Sequence, residues 1–293
     1  MKNASITLTL MTGSALAADL PSSKGPATLP PPPLWTGFYL GLNAGGAWSD
    51  NNSAQTATFP MFDAIPAGYG TTSAILGTFN APANASGFIG GGQIGYNYQF
   101  GGAFVAGVET DIQGVASGNG SSSVAGAAFN PVVLGGSTAS QLATVGKSLD
   151  YLGTARGRLG YLVTPTLLVY GSGGLAYGGV SANTSIFQSY TPVAGATNIF
   201  ASGSYSGARA GWTAGGGVDW MFMPNWSAKA EYLYYDLGNV TYSVAPMAST
   251  VIGVGALAFS GASHSSTSFR GNIVRAGVNY HFNWGAAPLV AGF

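Results

Sequence analysis

Eight charged side chains are the residues of this chain whose types and spacing fit a chemical role. They stand at alternate positions of segments whose other positions are apolar or aromatic. Four of them are acidic and four are basic. A charge buried in an apolar interior costs several kcal/mol unless it is paired, so the equal numbers predict an ion-paired cluster. The functional alternative is a narrow ion pathway or gate. The eight residues are Glu109, Asp111, Arg156, Arg158, Asp219, Lys229, Glu231 and Arg275.

Metal and cofactor motifs are weak. The two histidines, His264 and His281, lie in different segments with no paired spacing, and the chain has no cysteine, so we expect no metal site. The Gly-Lys-Ser tripeptide at 146–148 resembles the end of a phosphate-binding loop, but Gln141 occupies the position of the required earlier glycine. The G-x-G-x-x-A spacing at 171–176 is close to chance in so glycine-rich a chain. We therefore expect no cofactor.

A hydrolytic dyad is the enzymatic alternative. His264 stands two residues before Ser266, a His-x-Ser spacing that a serine nucleophile and its base can use. No Asp or Glu follows His264 in the chain to orient it, and the pair lies in the serine-rich stretch 260–268. We expect a solvated histidine and predict that the chain is not an enzyme.

The composition of the chain limits the class of protein and the partners that it can bind. Of 293 residues, 46% are hydrophobic and only 6% are charged, against about 25% charged in an ordinary soluble domain. Lysine plus arginine and aspartate plus glutamate both number 9, so no basic surface is available to bind nucleic acid. The absence of cysteine excludes disulfide scaffolds and cysteine nucleophiles.

The N-terminus has the composition of an export signal. Lys2 precedes a mostly apolar stretch that ends in Ala-Leu-Ala-Ala at 15–18, the small-x-small pattern of a signal-peptidase site. We place the signal peptide at residues 1–17. Residues 18–34 contain Pro21, Pro26 and an unbroken proline run at 30–33, which predicts an extended periplasmic lead.

Alternation with a period of two predicts strands rather than a membrane-spanning helix. A spanning helix needs about 20 consecutive apolar residues, and the uncharged stretch 159–208 is interrupted by Pro165 and Pro192. In eight segments, some of them overlapping this stretch, alternate positions are apolar or aromatic and the positions between them are Gly or polar. These segments are 35–48, 87–100, 104–115, 149–163, 167–180, 209–222, 226–237 and 272–282.

The connections between the segments alternate in length. Tight turns at 101–103, 164–166 and 223–225 alternate with long connections at 49–86, 116–148, 181–208 and 238–271. This pattern predicts an all-β, eight-stranded antiparallel up-and-down transmembrane barrel with short periplasmic turns and four long extracellular loops. We assign the barrel domain to 35–284 and a C-terminal extension to 285–293.

Aromatic residues cluster at both ends of the predicted strands, as in the interfacial girdles of membrane barrels. Lipid and lipopolysaccharide are therefore expected partners of the outer face. Near the short turns lie Tyr98, Phe100, Phe104, Tyr161, Trp220, Phe222, Trp226, Tyr280 and Phe282. Near the long connections lie Trp48, Tyr151, Tyr177, Trp212 and Tyr234.

Six motifs carry a resemblance to a known family. They are AADLP at 17–21, WTGFYLG at 35–41, GGGQIGYN at 90–97, LVYGSGGLAY at 168–177, AEYLYYDLG at 230–238 and VRAGVNYHF at 274–282. Together they resemble the alphaproteobacterial outer-membrane surface proteins of the RopB type, which are related in architecture to the OmpA transmembrane barrel and are often called the porin family. The resemblance covers the eight segments but not the long connections.

The resemblance implies an abundant surface barrel that supports envelope integrity and host interaction and, in some members, contacts haemin or phage. Those roles belong to loops that do not match, so no residue assignment carries over. We expect a structural barrel in the cell outer membrane that the barrel-assembly machinery inserts and that binds extracellular ligands through its loops. The alternatives are a small porin for ions or small hydrophilic solutes and, third, an outer-membrane lipid hydrolase. In a departure from the family pattern, the closing Tyr280-x-Phe282 is followed by 283–293, so either Phe282 or Phe293 is the assembly signal.

Overall fold

The computed structural model describes residues 35–50, 52–63, 69–117, 120–130, 137–191, 197–250 and 257–282. The predicted signal peptide at 1–17, the lead at 18–34 and the extension at 285–293 lie outside these residues, so their boundaries stay predictions. Within the same ranges, no helix is long and apolar enough to cross a membrane.

Eleven strands and one helix make up the described part of the chain. Strands β7 to β11 have 25 to 28 residues, whereas about 9–11 tilted residues cross a bilayer, so these strands continue well beyond the membrane. In chain order the elements are β1 (Gly37–Ser49), β2 (Ser53–Asp63), α1 (Tyr69–Gly77), β3 (Phe79–Pro82), β4 (Gly87–Phe100), β5 (Phe104–Ser117), β6 (Gly120–Asn130), β7 (Ser137–Thr164), β8 (Leu167–Thr191), β9 (Ile199–Met223), β10 (Trp226–Thr250) and β11 (Leu257–Phe282).

Eight of these strands close into a ring by antiparallel pairing. Their order is β1, β4, β5, β7, β8, β9, β10 and β11, and β11 pairs back with β1. The closing seam runs from Phe38 opposite Phe282 to Ser49 opposite Gly271. Closure satisfies the backbone of every ring strand on both sides, which a bilayer requires because its core holds no water to form hydrogen bonds. The ring agrees with the predicted antiparallel barrel.

The tight turns lie where the alternation places them. β4 and β5 are joined through Gly101 and Gly102, whose φ angles are 58° and 79°, a region that glycine adopts without steric cost. The turns at 165–166 and 224–225 join β7 to β8 and β9 to β10. Both contain a proline in a position that breaks the strand pattern.

The prediction of four long loops is wrong over the residues that the structure describes. The segments predicted as loops contain β2, β3, β6, α1 and the extensions of β7 to β11, so the sheet has eleven strands, of which eight form the ring. The period-two signal is irregular there because the outward positions mix polar and apolar residues. Thr144 lies between the buried Ala143 and Val145, but the outward Phe187 and Phe200 are 40% and 70% exposed.

Beyond the ring, the extended strands form two groups of four, and the hydrogen-bonded ladder between the groups is interrupted. β9 pairs with β10 only as far as Trp212 opposite Asp236. β9 then continues with β8, β7 and β6, while β10 continues with β11, β2 and β3. Gly238, with a φ of 80°, lies in the register shift between Asp236 and Asn239, where the ladder with β9 is interrupted. The two strands meet again at their far ends, where the Thr197 amide donates to the Thr250 carbonyl at 3.2 Å. We call these two groups of strands and α1 the upper sandwich.

The interior of the upper sandwich combines small apolar side chains with hydroxyl and amide hydrogen bonds. Ser73 of α1 donates to Gln188 of β8, and Gln188 donates to Gln141 of β7 at 2.7 Å. The Thr56 and Ser265 hydroxyls lie 2.8 Å apart. The buried apolar members are Ala143, Ile186, Ile199 and Ala201 of the first group and Val244 and Met247 of the second.

Side chains of the ring alternate between the outer face and the lumen. Leu42 and Val108 on the outer face are 74% and 63% exposed, whereas the neighbouring Asn43 and Glu109 point inward and are 5% and 4% exposed. An apolar outer face suits contact with lipid, and a polar inner face must then satisfy itself within the lumen.

Candidate functional site

The eight predicted charged residues all face the lumen of the ring. Strand register brings six of them into direct cross-strand pairs of opposite charge, where side chains on one face are close neighbours. Asp111 follows Glu109 by two residues on β5, and Arg158 follows Arg156 by two residues on β7, so both face the lumen as well. None of the eight exceeds 5% exposure. The cross-strand pairs are Glu109 with Arg156, Asp219 with Lys229 and Glu231 with Arg275.

Arg156 is the centre of the network. Its Nη1 donates to Glu231 Oε1 at 2.8 Å, and its Nη2 donates to Asp111 Oδ2 at 3.0 Å and to Glu109. Because Glu231 lies on β10 and Arg156 on β7, this ion pair crosses the lumen between strands that are not neighbours.

Arg275 closes the network from another strand. Its Nη2 contacts Glu231 Oε2 at 2.6 Å and Asp111 Oδ2 at 2.8 Å. Its Nε also donates to Glu231 Oε2 at 2.8 Å. Glu231 and Asp111 are thus each shared by Arg156 and Arg275, so the four side chains form one connected group.

Lys229 and Arg158 both bind Glu109, and Arg158 also binds Asp219. Lys229 Nζ lies 2.9 Å from Glu109 Oε1, and Arg158 lies 3.3 Å from Glu109 Oε2 and 3.4 Å from Asp219 Oδ2. With four acids and four bases, the buried network is electrically balanced, which limits the desolvation cost of bringing so many charges into one lumen.

Two tyrosines outside the predicted set of charges complete the network. Tyr39 Oη donates to Glu109 at 2.5 Å and accepts from Arg158 at 2.9 Å. Tyr170 Oη donates to Glu231 at 3.0 Å, and the Arg158 guanidinium lies 4.1 Å from the Tyr170 ring centre. The sequence did offer a signal for both tyrosines, because each stands at an inward position of a strand whose outward positions are apolar.

Apolar layers bound the network on both sides. On the short-turn side, Trp35 is 1% exposed, donates from Nε1 to the Pro165 carbonyl at 3.0 Å and packs edge-on against His281. Its apolar neighbours there are Val105, Leu162, Leu168 and Met221. On the opposite side, a second apolar layer is formed by Ile89, Leu149, Leu152, Val180, Leu233, Leu237, Phe269 and Ile273. The lumen is therefore a stack of apolar, charged and apolar layers.

Several lumen polar atoms have no protein partner among the residues that the structure describes. They include both amide atoms of Asn97, Asn43 Oδ1, Gln113 Oε1 and Asp219 Oδ1. Buried polar atoms of this kind are commonly satisfied by ordered water. Small hydration sites beside the charge network fit these positions.

The predicted girdle residues all lie on the outer face. Twelve of the fourteen are between 37% and 57% exposed, whereas Tyr177 and Tyr234 are half-buried. Trp226 and Tyr280 are edge-to-face neighbours with ring centres 5.2 Å apart. The same outward placement holds for Trp48, Tyr161, Trp212, Trp220 and Phe222.

Lys147, at the tripeptide that resembles a phosphate-binding loop, lies within strand β7 and not in a loop before a helix. It stands beyond Tyr151, on the side of the upper sandwich. Its Nζ donates to the Ser268 carbonyl at 2.7 Å and to Ser49 Oγ at 3.0 Å. Burial and the nearby positive charge of Arg270 lower the pKa of Lys147 to about 8.

The two histidines occupy different environments. His264 is exposed on β11 of the upper sandwich, with Nδ1 3.4 Å from Ser243 Oγ, and Ser266 accepts a hydrogen bond from Thr241. The structure thus gives each member of the His-x-Ser pair a neighbour on β10. His281 is buried near the short-turn end, with Nε2 2.9 Å from Ser227 Oγ.

Comparison with known proteins agrees with this architecture. The family described as "Outer membrane protein beta-barrel domain" matches residues 6–282. The 31 kDa outer-membrane immunogenic proteins of Brucella melitensis biotype 1 and Brucella suis biovar 1 are each 36% identical to this chain over 232 residues, covering 77% of the chain and 82% of each relative.

Solved structures show only remote similarity. Ail of Yersinia pestis matches with a TM-score of 0.29 and 12% identity, covering 84% of this chain and 99% of Ail. OprG of Pseudomonas aeruginosa matches with a TM-score of 0.38 and 12% identity, covering 84% of this chain and 97% of OprG.

The family match spans most of the chain, and the Brucella relatives share more than a third of the aligned residues. Both confirm the resemblance to alphaproteobacterial outer-membrane proteins and the localisation to the cell outer membrane. The chain therefore belongs to the outer-membrane protein β-barrel family.

Proposed function

We propose that the protein is a structural, surface-exposed barrel with a closed lumen, which supports the envelope and displays the upper sandwich outside the cell. The observation that carries the proposal is the charge network across the lumen. Arg156 reaches Glu231, and Arg275 reaches Asp111, each from a strand that is not its neighbour in the ring. Charges that meet in the middle of a lumen close it, whereas charges that line a wall leave it open.

The cost of opening this network supports a closed resting state. Removing one partner of a buried ion pair typically costs about 3–5 kcal/mol. Since about 1.4 kcal/mol corresponds to a factor of ten in population, a route that requires even one pair to separate is open in fewer than about one molecule in a hundred. The apolar layers at Trp35 and at Leu152 add further barriers to ions.

Single-channel conductance of the refolded protein in a planar bilayer tests the closed lumen. We expect the wild type to be silent. Arg156→Ala combined with Arg158→Ala removes two cations and their volume from the network, so this double variant is expected to show intermittent conductance. Arg209→Ala, which lies above the network and donates to the Asn239 carbonyl, is the matched control and should be silent. Reproducible conductance of the wild type would overturn the closed lumen.

A small porin is the second candidate, and the unpartnered polar atoms of Asn97, Asn43 and Gln113 favour it. Water at these atoms would supply short hydrated stretches beside the charges. A porin of this kind conducts in the wild type and conducts more in the double arginine variant. The same recordings therefore separate the two candidates.

We propose further that the protein is not an enzyme. His264 has its hydrogen-bond neighbour in Ser243, and Ser266 has its own in Thr241, which supports a structural setting for both. The outward girdles support contact with lipid and lipopolysaccharide, and the Phe282 strand end at the closing seam supports recognition by the barrel-assembly machinery. A lipid hydrolase would lose its activity in His264→Ala, whereas a structural histidine has no activity to lose.

A further inference from the structure

Seven large apolar side chains of the strands are exposed at the end of the upper sandwich that lies farthest from the ring. On β8, the outward Phe187 stands ten residues beyond Tyr177 of the girdle near the long connections. A strand rises about 3.3 Å per residue, so Phe187 lies about 33 Å farther along β8. We call the set the distal belt. It consists of Phe59, Met61 and Phe62 of β2, Phe129 of β6, Leu142 of β7, Phe187 of β8 and Phe200 of β9.

A polar belt separates the distal belt from the surface that contacts lipid in the ring. Between Tyr177 and Phe187, the alternate positions of β8 hold Gly179, Ser181, Asn183 and Ser185. Between Trp212 and Phe200, those of β9 hold two alanines and three serines. On the other group of strands, the row before Phe59 consists of Ala57, His264 and Ser243. The outer surface therefore changes along the strands from apolar to polar and back to apolar.

The distal belt is present on both groups of strands. On the first group, Leu142, Phe187 and Phe200 lie opposite one another in one row across β7, β8 and β9. On the second group, Phe59 and Met61 are 60% and 72% exposed. Exposed apolar surface of this extent marks a contact with a protein or a membrane. A protein that approaches from one side covers one group only, whereas an apolar phase that receives the end of the molecule contacts both.

The end of the molecule that carries the distal belt is almost free of charge. β6 and β8 contain no charged residue, and the first charges of β7 and β9 from this end are Lys147 and Arg209, which stand nearer the ring. Asp63, the last residue of β2, is the one charged residue beyond the polar belt among those that the structure describes. Because charges are the costly groups to bring into lipid, this end can enter an apolar phase at little cost.

From these observations we propose that the distal belt inserts into a lipid bilayer other than the one that holds the ring. Its phenylalanine and methionine side chains enter the boundary between headgroups and acyl chains, as the apolar face of an interfacial element does. The polar belt stays in the water between the two membranes. The belt has no basic residue, so burial of apolar surface supplies the affinity and the second bilayer needs no anionic lipid. The inference rests on the surface display in the proposed function and is independent of lumen closure.

A second copy of this chain in the same membrane fits the distal belt less well. Two rings in one membrane stand side by side, so a neighbouring copy covers one group of strands and leaves the apolar side chains of the other in water. Contact of both groups at once requires a surface that meets the end of the molecule. A bilayer is such a surface, and a copy that projects from an opposite membrane is the occupant that the test must separate from it.

The test uses the full chain in lipid nanodiscs, which occupy the ring, together with separate vesicles of phosphatidylcholine. The chain has no cysteine, so Phe200→Cys and Ser204→Cys each provide a single site for an environment-sensitive fluorophore. We expect the emission of the label at position 200 to shift to the blue when vesicles are added and to be quenched by brominated acyl chains. The label at position 204, in the polar belt, is the matched control and should show neither change.

Co-flotation of the nanodiscs with the vesicles measures the affinity of the unlabelled chain. Phe59→Ser combined with Phe187→Ser and Phe200→Ser removes apolar surface from both groups and should weaken binding at least about tenfold. Ser202→Ala combined with Ser204→Ala and Ser206→Ala changes the same number of outward positions in the polar belt and should bind as the wild type does. Binding of the wild type should not weaken when the salt concentration is raised.

Four results would overturn the proposal. They are failure of the wild type to bind phosphatidylcholine vesicles, equal affinity in the triple serine variant, binding that requires anionic lipid, and association of the nanodiscs with one another without vesicles, which assigns the belt to a second copy. Labelling of Phe200→Cys on intact cells with a membrane-impermeant maleimide tests the display separately. A labelled belt that binds no vesicles removes this inference alone, whereas a belt that binds vesicles but is not labelled on cells removes the surface display.

Discussion

The lumen of the ring and the interior of the upper sandwich bury polar groups in opposite ways. The lumen holds eight paired charges, including Arg156 and Glu231, whereas the sandwich interior holds small apolar residues with hydroxyl pairs such as Thr56 and Ser265. The ring has lipid outside, so its apolar residues face outward and its polar residues face inward. The sandwich has water outside, so its apolar residues can turn inward. The solvent outside each region thus determines the chemistry of its interior.

This difference also implies different sensitivities to mutation. Glu109, Asp111 and Glu231 are each shared by two or more bases, so removal of one of these side chains leaves several buried charges undercompensated. A hydroxyl of the sandwich that loses its partner leaves only one neutral group unsatisfied. Four substitutions test this contrast.

Glu231→Leu should be the most destabilising single change. Glu231 accepts from Arg156, Arg275 and Tyr170, so its loss leaves two buried guanidinium groups undercompensated and should lower the free energy of unfolding by about 3–5 kcal/mol. Urea unfolding in lipid vesicles, followed by tryptophan fluorescence, measures the loss. Glu231→Gln, which keeps the shape and one acceptor oxygen, should lose less, and a loss below about 1 kcal/mol in the leucine variant would mean that the network is solvated.

Trp35→Ala tests the apolar layer of the same lumen. Truncation of a buried tryptophan costs about 3 kcal/mol or more, and Trp35 also loses its hydrogen bond to Pro165. The variant should be destabilised yet silent in planar bilayers, because the charge network still crosses the lumen. Conductance in this variant would show that Trp35, and not the charges, closes the barrel.

Thr56→Val tests the upper sandwich. It keeps the side-chain volume and removes the hydroxyl that lies 2.8 Å from Ser265, so we expect a loss of about 1 kcal/mol. The double variant Thr56→Val with Ser265→Ala should cost less than the two single changes added together, because no unsatisfied partner remains. A loss as large as that of Glu231→Leu would erase the contrast between the two regions.

Lys147→Met tests the boundary between the regions through pH. The folded pKa of about 8 lies below the unfolded value of about 10.4, so between these pH values the unfolded chain binds more protons than the folded one. The stability of the wild type relative to the variant should therefore rise from about pH 8 to pH 10. Unfolding midpoints across this range measure the slope, and a flat difference would show that Lys147 titrates normally in the folded protein.

The alternation of apolar and polar residues was the strongest structural signal in the sequence. Alternation around Glu109, Arg156 and Glu231 predicted both the strands and the shared inward face, because side chains of a strand alternate between two faces whatever the strand pairs with. The tight turns were equally predictable, since Gly101 and Pro165 punctuate the alternation. The alternation placed Tyr39 on an inward position but did not reveal its partners, because Glu109 and Arg158 lie on strands far along the chain.

The strands of the upper sandwich are the largest part of the fold that the sequence did not predict. The stretch 239–244 does alternate, with Val240, Tyr242 and Val244 buried. The stretches 120–130 and 137–148 have mostly small residues on both faces, so alternation does not mark them as strands. Only the pairing of each long hairpin with its neighbours decides their conformation, because backbone hydrogen bonds are satisfied by partners distant in sequence.

The sequence by itself determined the alternation, the tight turns and the balanced set of lumen charges, because each depends on residue type and local spacing. The export signal stays a prediction. The tertiary structure decided which charges meet, which apolar layers bound them and how the strands divide above the ring. Those features depend on register and closure around a ring, where residues such as Asp111 and Arg275 come within 2.8 Å although they are far apart in the chain.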